Sequence, residues 1–338
     1  MKIAHLLPYS ARFPLIKHNG RYEWALRLAR KQAADGHQVN FYAGPGSKDD
    51  SSIIWRSIDS VSSDRQKNNL KLISTAFEDS HDIYHTHFDY LHYLLADRTE
   101  KPIVYTQHWF PNHQIAKAAQ KNLTQNVTAV PSSDFMARKD DNLNIKHEEI
   151  IRQGIDLKLF RPTGEPVSER LIFVGRIAPW KGVLEAVLIC RASSQALDMV
   201  GKLNTSEQAY WKKIEPFIDR ERIRYLGPKK QAEIAKLLPR AKAFIFPSQA
   251  PEAAPQAPIE AQACGTPVLI SDVGASSEWI EPGITGFIAG SQEEFIEAIK
   301  NIEKLDRNEC RKFAEQFGFE DMATKYETLY ERLVGAQQ

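Results

Sequence analysis

The stretch 246–286 constrains the fold most, because it joins two apolar strands through a helix. The first strand, Ala243–Phe246, ends in a Pro-Ser pair, and a proline-interrupted loop leads to a helix predicted to begin near Pro258. Gly265 ends that helix, and Val268–Ser271 is predicted as the next strand. A strand, a helix and a second strand in this order predict a parallel sheet.

Two glutamates in this stretch are candidate site residues. Glu252 lies in the loop, and Glu260 is expected in the first turn of the predicted helix. Both follow the carboxyl end of a strand, which is where open parallel sheets bind their ligands. A solvated loop acid and an acid stabilised by the helix dipole would give the same two residues without any site. Motifs elsewhere in the chain distinguish these alternatives.

Composition indicates the class of protein. With 338 residues, of which 42% are hydrophobic and 26% charged, the chain is expected to form two domains of about 150 residues. The net charge of +1 and the lack of a long basic run argue against nucleic acid as a partner. The three cysteines lack metal-ligand spacing, which predicts free thiols in a reducing compartment.

The start of the chain and its apolar runs indicate where the protein acts. The chain opens with a strand, MKIAHLLP, without a charged leader, and no stretch approaches the roughly eighteen apolar residues of a membrane span. A cytoplasmic protein is expected, with peripheral contact to the inner face of a membrane as the closest possible association.

The first half of the chain alternates predicted strands and helices. A strand at 2–8, a helix at 22–35 and a strand at 38–42 form a βαβ unit, with Gly20 at its first turn. Asn-Gly at this turn is the kind of pair that lets a ligand approach the backbone. Further strands are predicted at 82–87, 103–108, 127–130 and 149–152, and a polar linker at 163–168.

Histidines cluster at the ends of two of these strands. His85 and His87 end one strand and His108 ends another. No acidic residue or cysteine stands at ligand spacing, so no metal site is predicted. Both strands are expected to finish at the same edge of the sheet, as a ligand site requires. His85 and His87 are interpreted as loop or wall residues.

The second half opens with an apolar strand that ends in two cations. Arg176 and Lys181 lie at a strand-to-helix turn before a helix predicted at 183–190. A nucleotide diphosphate needs this combination of fixed positive charge and helix N-terminal amides. Two ordinary surface cations are the alternative interpretation. Later strands end at Gly201 and Gly227, at the same expected edge.

Four passages resemble one family. They are the E-x7-E pair with its ACGTPV text, the G-R-x4-K-G turn at 175–182, the T-Q-H segment ending at His108, and the G-I-D…F-R-P passage at 154–162. They resemble retaining glycosyltransferases of the family 4 type, the glycosyl transferases group 1. The resemblance implies a GT-B fold, in which two doubly wound Rossmann-like α/β domains face across a cleft. It places an acceptor-side domain at 1–162 and a nucleotide-sugar domain at 168–318, with the last helix, 320–335, packed on the first.

The resemblance also implies residue roles. His108, Glu252, Arg176 and Lys181 correspond to catalytic positions. The donor-binding positions are Gly20, Arg176, Lys181, Gly227, Glu252 and Glu260. The implied reaction is metal-independent, cofactor-free transfer of a hexose, with retention, from a nucleotide-diphosphate sugar such as a UDP sugar. The implied acceptor is a carbohydrate or a lipid-linked molecule in the synthesis of cell-surface polysaccharide or glycoconjugate.

One departure from the family pattern leaves the donor sugar open, and two alternative functions remain. The family's usual Glu-x-Phe-Gly is replaced here by Glu-Ala-Ala-Pro at 252–255, which removes one glycine and one amide donor beside the sugar. The identity of the donor sugar is therefore open. A GT-B sugar-nucleotide epimerase or phosphorylase would use a similar cradle, and a non-catalytic sugar-nucleotide binding protein would also fit.

Overall fold

Two compact units make up the chain. The computed structural model describes residues 1–15, 20–49, 51–60, 62–110, 112, 114, 117–118, 126–143 and 145–336. The first unit comprises Met1–Arg152 with Met322–Gln338, and the second comprises Gln153–Asp321. Each unit contains a parallel sheet of six strands. The prediction of two Rossmann-like α/β domains is confirmed.

The first unit is a doubly wound sheet in the order β3-β2-β1-β4-β5-β6. Its strands are β1 (Lys2–Leu6), β2 (Gln38–Tyr42), β3 (Ile54–Arg56), β4 (Ile83–Thr86), β5 (Ile103–Thr106) and β6 (Val127–Val130). Its helices include α1 (Gly20–Ala34), α2 (Arg65–Glu78), α3 (Asp134–Asn142) and a 3₁₀ helix, Leu91–Arg98. The chain runs outward from β1 to β3 and then returns to place β4 beside β1. The strand order therefore reverses between β1 and β4, the switch point at which such sheets bind ligands.

The second unit repeats this plan in the order β12-β11-β10-β7-β8-β9. Its strands are β7 (Arg170–Val174), β8 (Ala196–Val200), β9 (Ile223–Gly227), β10 (Ala243–Phe246), β11 (Val268–Ser271) and β12 (Gly286–Ala289). Its helices are α4 (Val183–Ala192), α5 (Gln208–Ile214), α6 (Gln231–Leu237), α7 (Gln256–Ala263), α8 (Gln292–Asn301) and α9 (Arg307–Glu315). A last helix, α10 (Phe319–Gly335), begins in the second unit and continues into the residues assigned to the first. In this sheet the switch point lies between β7 and β10.

Local sequence explains where several elements begin. The Ser133 hydroxyl accepts a hydrogen bond from the Met136 amide at 3.1 Å, so the predicted N-cap of α3 is confirmed. Helix α7 begins two residues earlier than predicted, at Gln256, because proline at the third helical position costs no hydrogen bond. Glu260 consequently lies in the second turn of α7 and not in the first.

The predicted strand at 149–152 is wrong. Among the described residues between α3 and the second unit, His147 alone forms a bridge to β6, and the Ile151 amide donates to the Pro131 carbonyl at 3.1 Å. Ile151 is nevertheless 2% exposed. This segment therefore buries the Ile151 side chain without forming a strand.

The structure divides earlier than the predicted boundary at 162. The Ile155 amide donates to the Phe317 carbonyl at 2.9 Å, and the Phe319 amide donates back to Ile155 at 3.0 Å. The Arg311 guanidinium donates to the carbonyls of Leu157 and Phe160 at 3.3 and 2.9 Å. These bonds hold residues 153–160 to the second unit, so the polar linker lies inside that unit.

The structure bears on two features noted in the sequence, the cysteines and the apolar runs. The three cysteines are buried and unpaired, and burial raises the pKa of Cys264 and Cys310 to about 12. They are free thiols, as the sequence predicts. Among the described residues, no helix combines the length and the apolar character needed to cross a membrane.

Candidate functional site

The clearest site lies at the switch point of the second unit. Strands β7 and β10 are adjacent, but the strand order reverses between them. The loop 175–182 follows β7 and the loop 247–255 follows β10. In an open α/β sheet, ligands bind in the crevice outside the carboxyl ends of the strands at such a switch point. The two motifs singled out by the sequence are on these two loops.

An ion pair connects the loops. The Lys181 Nζ atom lies 2.7 Å from the Glu252 Oε1 atom, and the two side chains are 20% and 21% exposed. Lys181 Nζ also lies 5.1 Å from the centroid of the Phe246 ring at the end of β10. Lys181, which the resemblance assigns to the donor, and Glu252, which it assigns to the same donor, are thus direct neighbours. Both remain accessible to a ligand in the crevice.

Backbone contacts fix the separation of these loops. The Gln249 amide and the Ser248 hydroxyl both donate to the Trp180 carbonyl, at 2.9 Å each. Gly182 has a φ of 70°, and a Cβ atom added there would lie 1.7 Å from the Pro247 carbonyl oxygen. The approach of the two loops therefore requires glycine at 182.

Replacing Gly182 by alanine is expected to weaken both folding and ligand binding. The left-handed conformation alone costs about 1–2 kcal/mol for alanine, and the clash with Pro247 adds to that cost. Gly164 provides a matched control, since its φ is 71° and a Cβ atom added there would meet nothing within 4 Å. Urea unfolding should show a larger loss for Gly182→Ala than for Gly164→Ala. Equal losses would mean that the loops accommodate the methyl group.

The positive charge of the site comes from side chains. Arg176 is exposed, and its guanidinium carbon lies 5.7 Å from the centroid of the Trp180 ring. Within the part of the chain that the structure describes, Arg176 forms no ion pair. The N-terminus of α4 is partly used internally, because the Leu184 amide donates to the Tyr210 phenol at 2.9 Å and Glu185 occupies the first turn. An anion here would depend on Arg176 and Lys181 more than on the helix end.

Glu260 and Gly227, the other two predicted donor-binding residues of this unit, do not lie on the two loops of the switch point. Glu260 is 8% exposed in the middle of α7. Gly227 ends β9 with a φ of 72°, and its carbonyl accepts from the Gly201 amide at 3.0 Å. Strand β8 separates β9 from β7, so Gly227 is not on a loop of the switch point.

His108 and Gly20 belong to the first unit. His108 follows β5, is partly exposed, and lies against Trp24 with ring centroids 5.4 Å apart. Burial, with a smaller effect of the Arg21 charge, lowers the pKa of His108 to about 3, so the ring is neutral at pH 7. Gly20 is the first residue of α1, with open space where a Cβ atom would lie. Asn19 lies outside the described residues.

The interpretation of His85 and His87 as loop or wall residues is wrong. They are 0% and 1% exposed, and they join His5 of β1 in a buried cluster. One ligand atom from each of the three lies within 4.8 Å of the others, as a metal site would require. Hydrogen bonds already use all six ring nitrogens of this cluster. The partners are Gln32 and His87 for His5, Tyr330 and Thr106 for His85, and His5 and His108 for His87.

Hydrogen bonding therefore accounts for the proximity of the three rings without an ion. Sequence analysis missed His5 and Gln32, because an apolar strand and an amphipathic helix gave no site signal. The sequence signal that could have pointed to this cluster was the spacing of its histidines along the strands. His85 and His87 are two residues apart and so face one side of the sheet, and β1 carries a histidine paired in register with His85.

Known proteins resemble this chain in sequence. Residues 158–317, which lie within the second unit, match the family model described as glycosyl transferases group 1. A D-inositol 3-phosphate glycosyltransferase from Mycobacterium bovis is 26% identical over 263 residues, which cover 67% of this chain and 54% of the relative. The chain therefore spans about half the length of the curated relatives it matches.

Solved structures resemble both units. A sucrose-phosphate synthase from Thermosynechococcus elongatus superposes with a TM-score of 0.80 at 18% identity, with 99% of each chain covered. Anabaena HepE in complex with UDP-glucose gives a TM-score of 0.75 at 19% identity, covering 97% of this chain and 99% of that chain. These likenesses, with the two parallel sheets, define the fold as GT-B.

Proposed function

We propose that the chain is a retaining glycosyltransferase that uses a nucleotide-diphosphate sugar as donor. The bond between the anomeric carbon and the diphosphate oxygen breaks, and a bond to an acceptor hydroxyl oxygen forms on the same face. The acceptor proton passes to the departing diphosphate. The acceptor is a carbohydrate or a lipid-linked molecule, in the synthesis of cell-surface polysaccharide or glycoconjugate.

The observation that carries this proposal is the Lys181–Glu252 pair at the switch point of β7 and β10. It combines a cation for phosphate with a carboxylate for hydroxyl groups, in the segment that matches the glycosyltransferase family model. The Anabaena neighbour in complex with UDP-glucose supports UDP-glucose as the first donor to test.

Each candidate residue then has a defined task. Arg176 and Lys181 stabilise the charge that develops on the leaving diphosphate, which is the largest electrostatic demand of the reaction. Glu252 accepts hydrogen bonds from hydroxyls of the donor sugar, and Glu260 accepts them from the ribose. His108 contacts the sugar with a neutral ring. Gly20 and Gly227 border the donor through their backbones.

A donor panel tests the proposal. UDP-, GDP- and ADP-sugars are compared by thermal shift, since a ligand at a hundred times its Kd adds about 2.7 kcal/mol of stability. Transfer to an added acceptor should follow for the donor that binds. Formation of an epimer or of free UDP with donor alone would identify an epimerase, and release of a sugar phosphate with inorganic phosphate would identify a phosphorylase. Binding without turnover with any acceptor would identify a non-catalytic binding protein.

Turnover is expected to survive removal of divalent ions. The proposed site neutralises the diphosphate with Arg176 and Lys181, and the sequence has no Asp-x-Asp motif to bridge a metal to it. Initial rates are measured with and without EDTA. A loss of more than about tenfold that Mg²⁺ or Mn²⁺ restores would contradict the assignment of these cations.

The product is expected to retain the anomeric configuration of the donor. A glycosidase that retains through a covalent intermediate places two carboxylates about 5–5.5 Å apart. Glu252 is instead engaged by Lys181 at 2.7 Å, and Glu260 is assigned to the ribose. NMR of the anomeric centre in donor and product measures the outcome. An inverted product would overturn the mechanism, and a trapped glycosyl-Glu252 would overturn the role of that residue.

A further inference from the structure

A chain of hydrogen bonds runs from the core of the first unit to His108. The His5 Nε2 atom lies 2.7 Å from the Gln32 Oε1 atom, and His5 Nδ1 lies 3.3 Å from His87 Nε2. His87 Nδ1 in turn lies 3.1 Å from His108 Nε2. Gln32 and His5 are 0% exposed and His87 is 1% exposed. This series of hydrogen bonds is therefore shielded from solvent as far as His108.

The direction of these bonds follows from donor and acceptor chemistry. An amide oxygen only accepts, so His5 donates to Gln32 through Nε2–H. A neutral imidazole has one N–H, so His5 Nδ1 must accept from His87 Nε2–H. By the same rule His87 Nδ1 accepts from His108 Nε2–H. The reverse direction would place the lone pair of an unprotonated His5 Nε2 against the Gln32 oxygen, so the orientation of the Gln32 amide sets the direction of the whole series.

This series of hydrogen bonds requires that the rings of His5, His87 and His108 are all neutral. Burial lowers the pKa of His5 to about 4 and that of His108 to about 3, and it keeps the pKa of His87 well below the usual value. Trp24 packs edge-on against His87 and His108, with centroid separations of 5.8 and 5.4 Å, and so holds both ring planes. Protonation of a ring is therefore not available to reverse the order at neutral pH.

We propose that Gln32, His5 and His87 are positioning residues that fix His108 as its Nε2–H tautomer and leave its Nδ1 as a hydrogen-bond acceptor. His108 would then accept a hydrogen bond from a hydroxyl of the bound sugar, and it could not donate one to the sugar ring oxygen or to the leaving group. This role toward a sugar rests on the proposed glycosyltransferase function. The tautomer itself rests only on the hydrogen-bond chain.

The tautomer is measured directly on the full chain. Protein labelled with ¹⁵N-histidine gives long-range ¹H–¹⁵N correlations that distinguish the protonated from the unprotonated ring nitrogen, and His108→Gln identifies the His108 signals. The expected spectrum shows one His108 tautomer with the proton on Nε2. A proton on Nδ1, or a mixture in the wild type, would overturn the inference without any activity measurement.

A variant then tests the positioning. His87→Phe keeps a buried ring but removes both bonds of the chain, so His108 should become a mixture of tautomers. We expect kcat/KM for sugar transfer to fall about tenfold to a hundredfold, by analogy with loss of a group that orients a metal-bound histidine. Should His87→Phe fail to fold, Gln32→Met removes the terminal acceptor instead and should give the same mixture.

His92→Phe is the matched control. His92 is also 0% exposed in the first unit, but its ring nitrogens have no partner among the described residues. Its replacement should leave the His108 spectrum and kcat/KM unchanged. A spectrum that changes in His87→Phe while turnover stays constant would overturn the role in transfer. Absence of any turnover in the wild type would refute the proposed function and the role toward a sugar, while the spectrum would still decide the tautomer.

Discussion

Replacing Lys181 by alanine is expected to lower kcat/KM for sugar transfer by about 10² to 10³, the range for one preorganised electrostatic group. Arg176→Ala should have an effect of the same size. The thermal stability should change little, because a partly exposed ion pair such as Lys181–Glu252 contributes at most about 1 kcal/mol. Initial rates with the donor that binds and thermal unfolding are measured on the same preparations.

Lys213→Ala is the control for this experiment, since Lys213 is an exposed lysine on α5 in the same unit. It should change neither rate nor stability. Lys181→Gln keeps most of the side-chain length without the charge and should resemble Lys181→Ala. Unfolding of Arg176→Ala, or full turnover by either alanine variant, would show that these are ordinary surface cations.

Acid is expected to unfold the first unit sharply below pH 6.5. Burial lowers the pKa of His5 to about 4 and that of His92 and His108 to about 3, and it lowers the pKa values of His85 and His87 well below the usual value. The folded state thus keeps neutral rings that the unfolded state protonates, so stability is full above pH 6.5 and is lost as the pH falls. Each histidine contributes about 1.4 kcal/mol per pH unit.

One buried acid opposes this trend. Burial raises the pKa of Asp140 to about 7, so its protonation stabilises the folded state as the pH falls from 7 towards 4. The net loss should approach about 5 kcal/mol per pH unit below pH 6, which is as large as the whole stability of many domains. Urea unfolding at pH 7.5, 6.5 and 5.5 measures it.

His92→Phe should reduce the pH slope by one proton, because the folded state keeps this ring neutral where the unfolded state protonates it. A stability that is flat between pH 7.5 and 5.5 would contradict neutral burial of the cluster.

The sequence predicted the parts of the site but not their pairing. Lys181 and Glu252 were each identified from a strand-end motif. Their contact at 2.7 Å depends on β10 lying beside β7, a neighbour relation across some seventy residues that no local pattern contains. The α/β class was predictable because short, mainly apolar strand runs alternate with helical segments.

Two errors have the same physical origin. His85 and His87 were interpreted as loop or wall residues, but hydrogen bonds to tertiary partners such as Tyr330 and His108 satisfy both rings in the interior. The strand predicted at 149–152 failed because Ile151 buries its side chain without ladder hydrogen bonds to a neighbouring strand. Both outcomes depend on tertiary partners that a sequence window does not show.

Helix α10 has a consequence for the order in which the chain can fold on the ribosome. The second unit is one continuous segment, but the first lacks Met322–Gln338 until the whole of the second unit has been translated. Tyr330 bonds to His85, and the Tyr326 hydroxyl lies 2.7 Å from the Thr106 hydroxyl. The buried partners of β4 and β5 therefore emerge after the second unit. The N-terminal half, although translated first, completes its core only after the C-terminal half has left the exit tunnel.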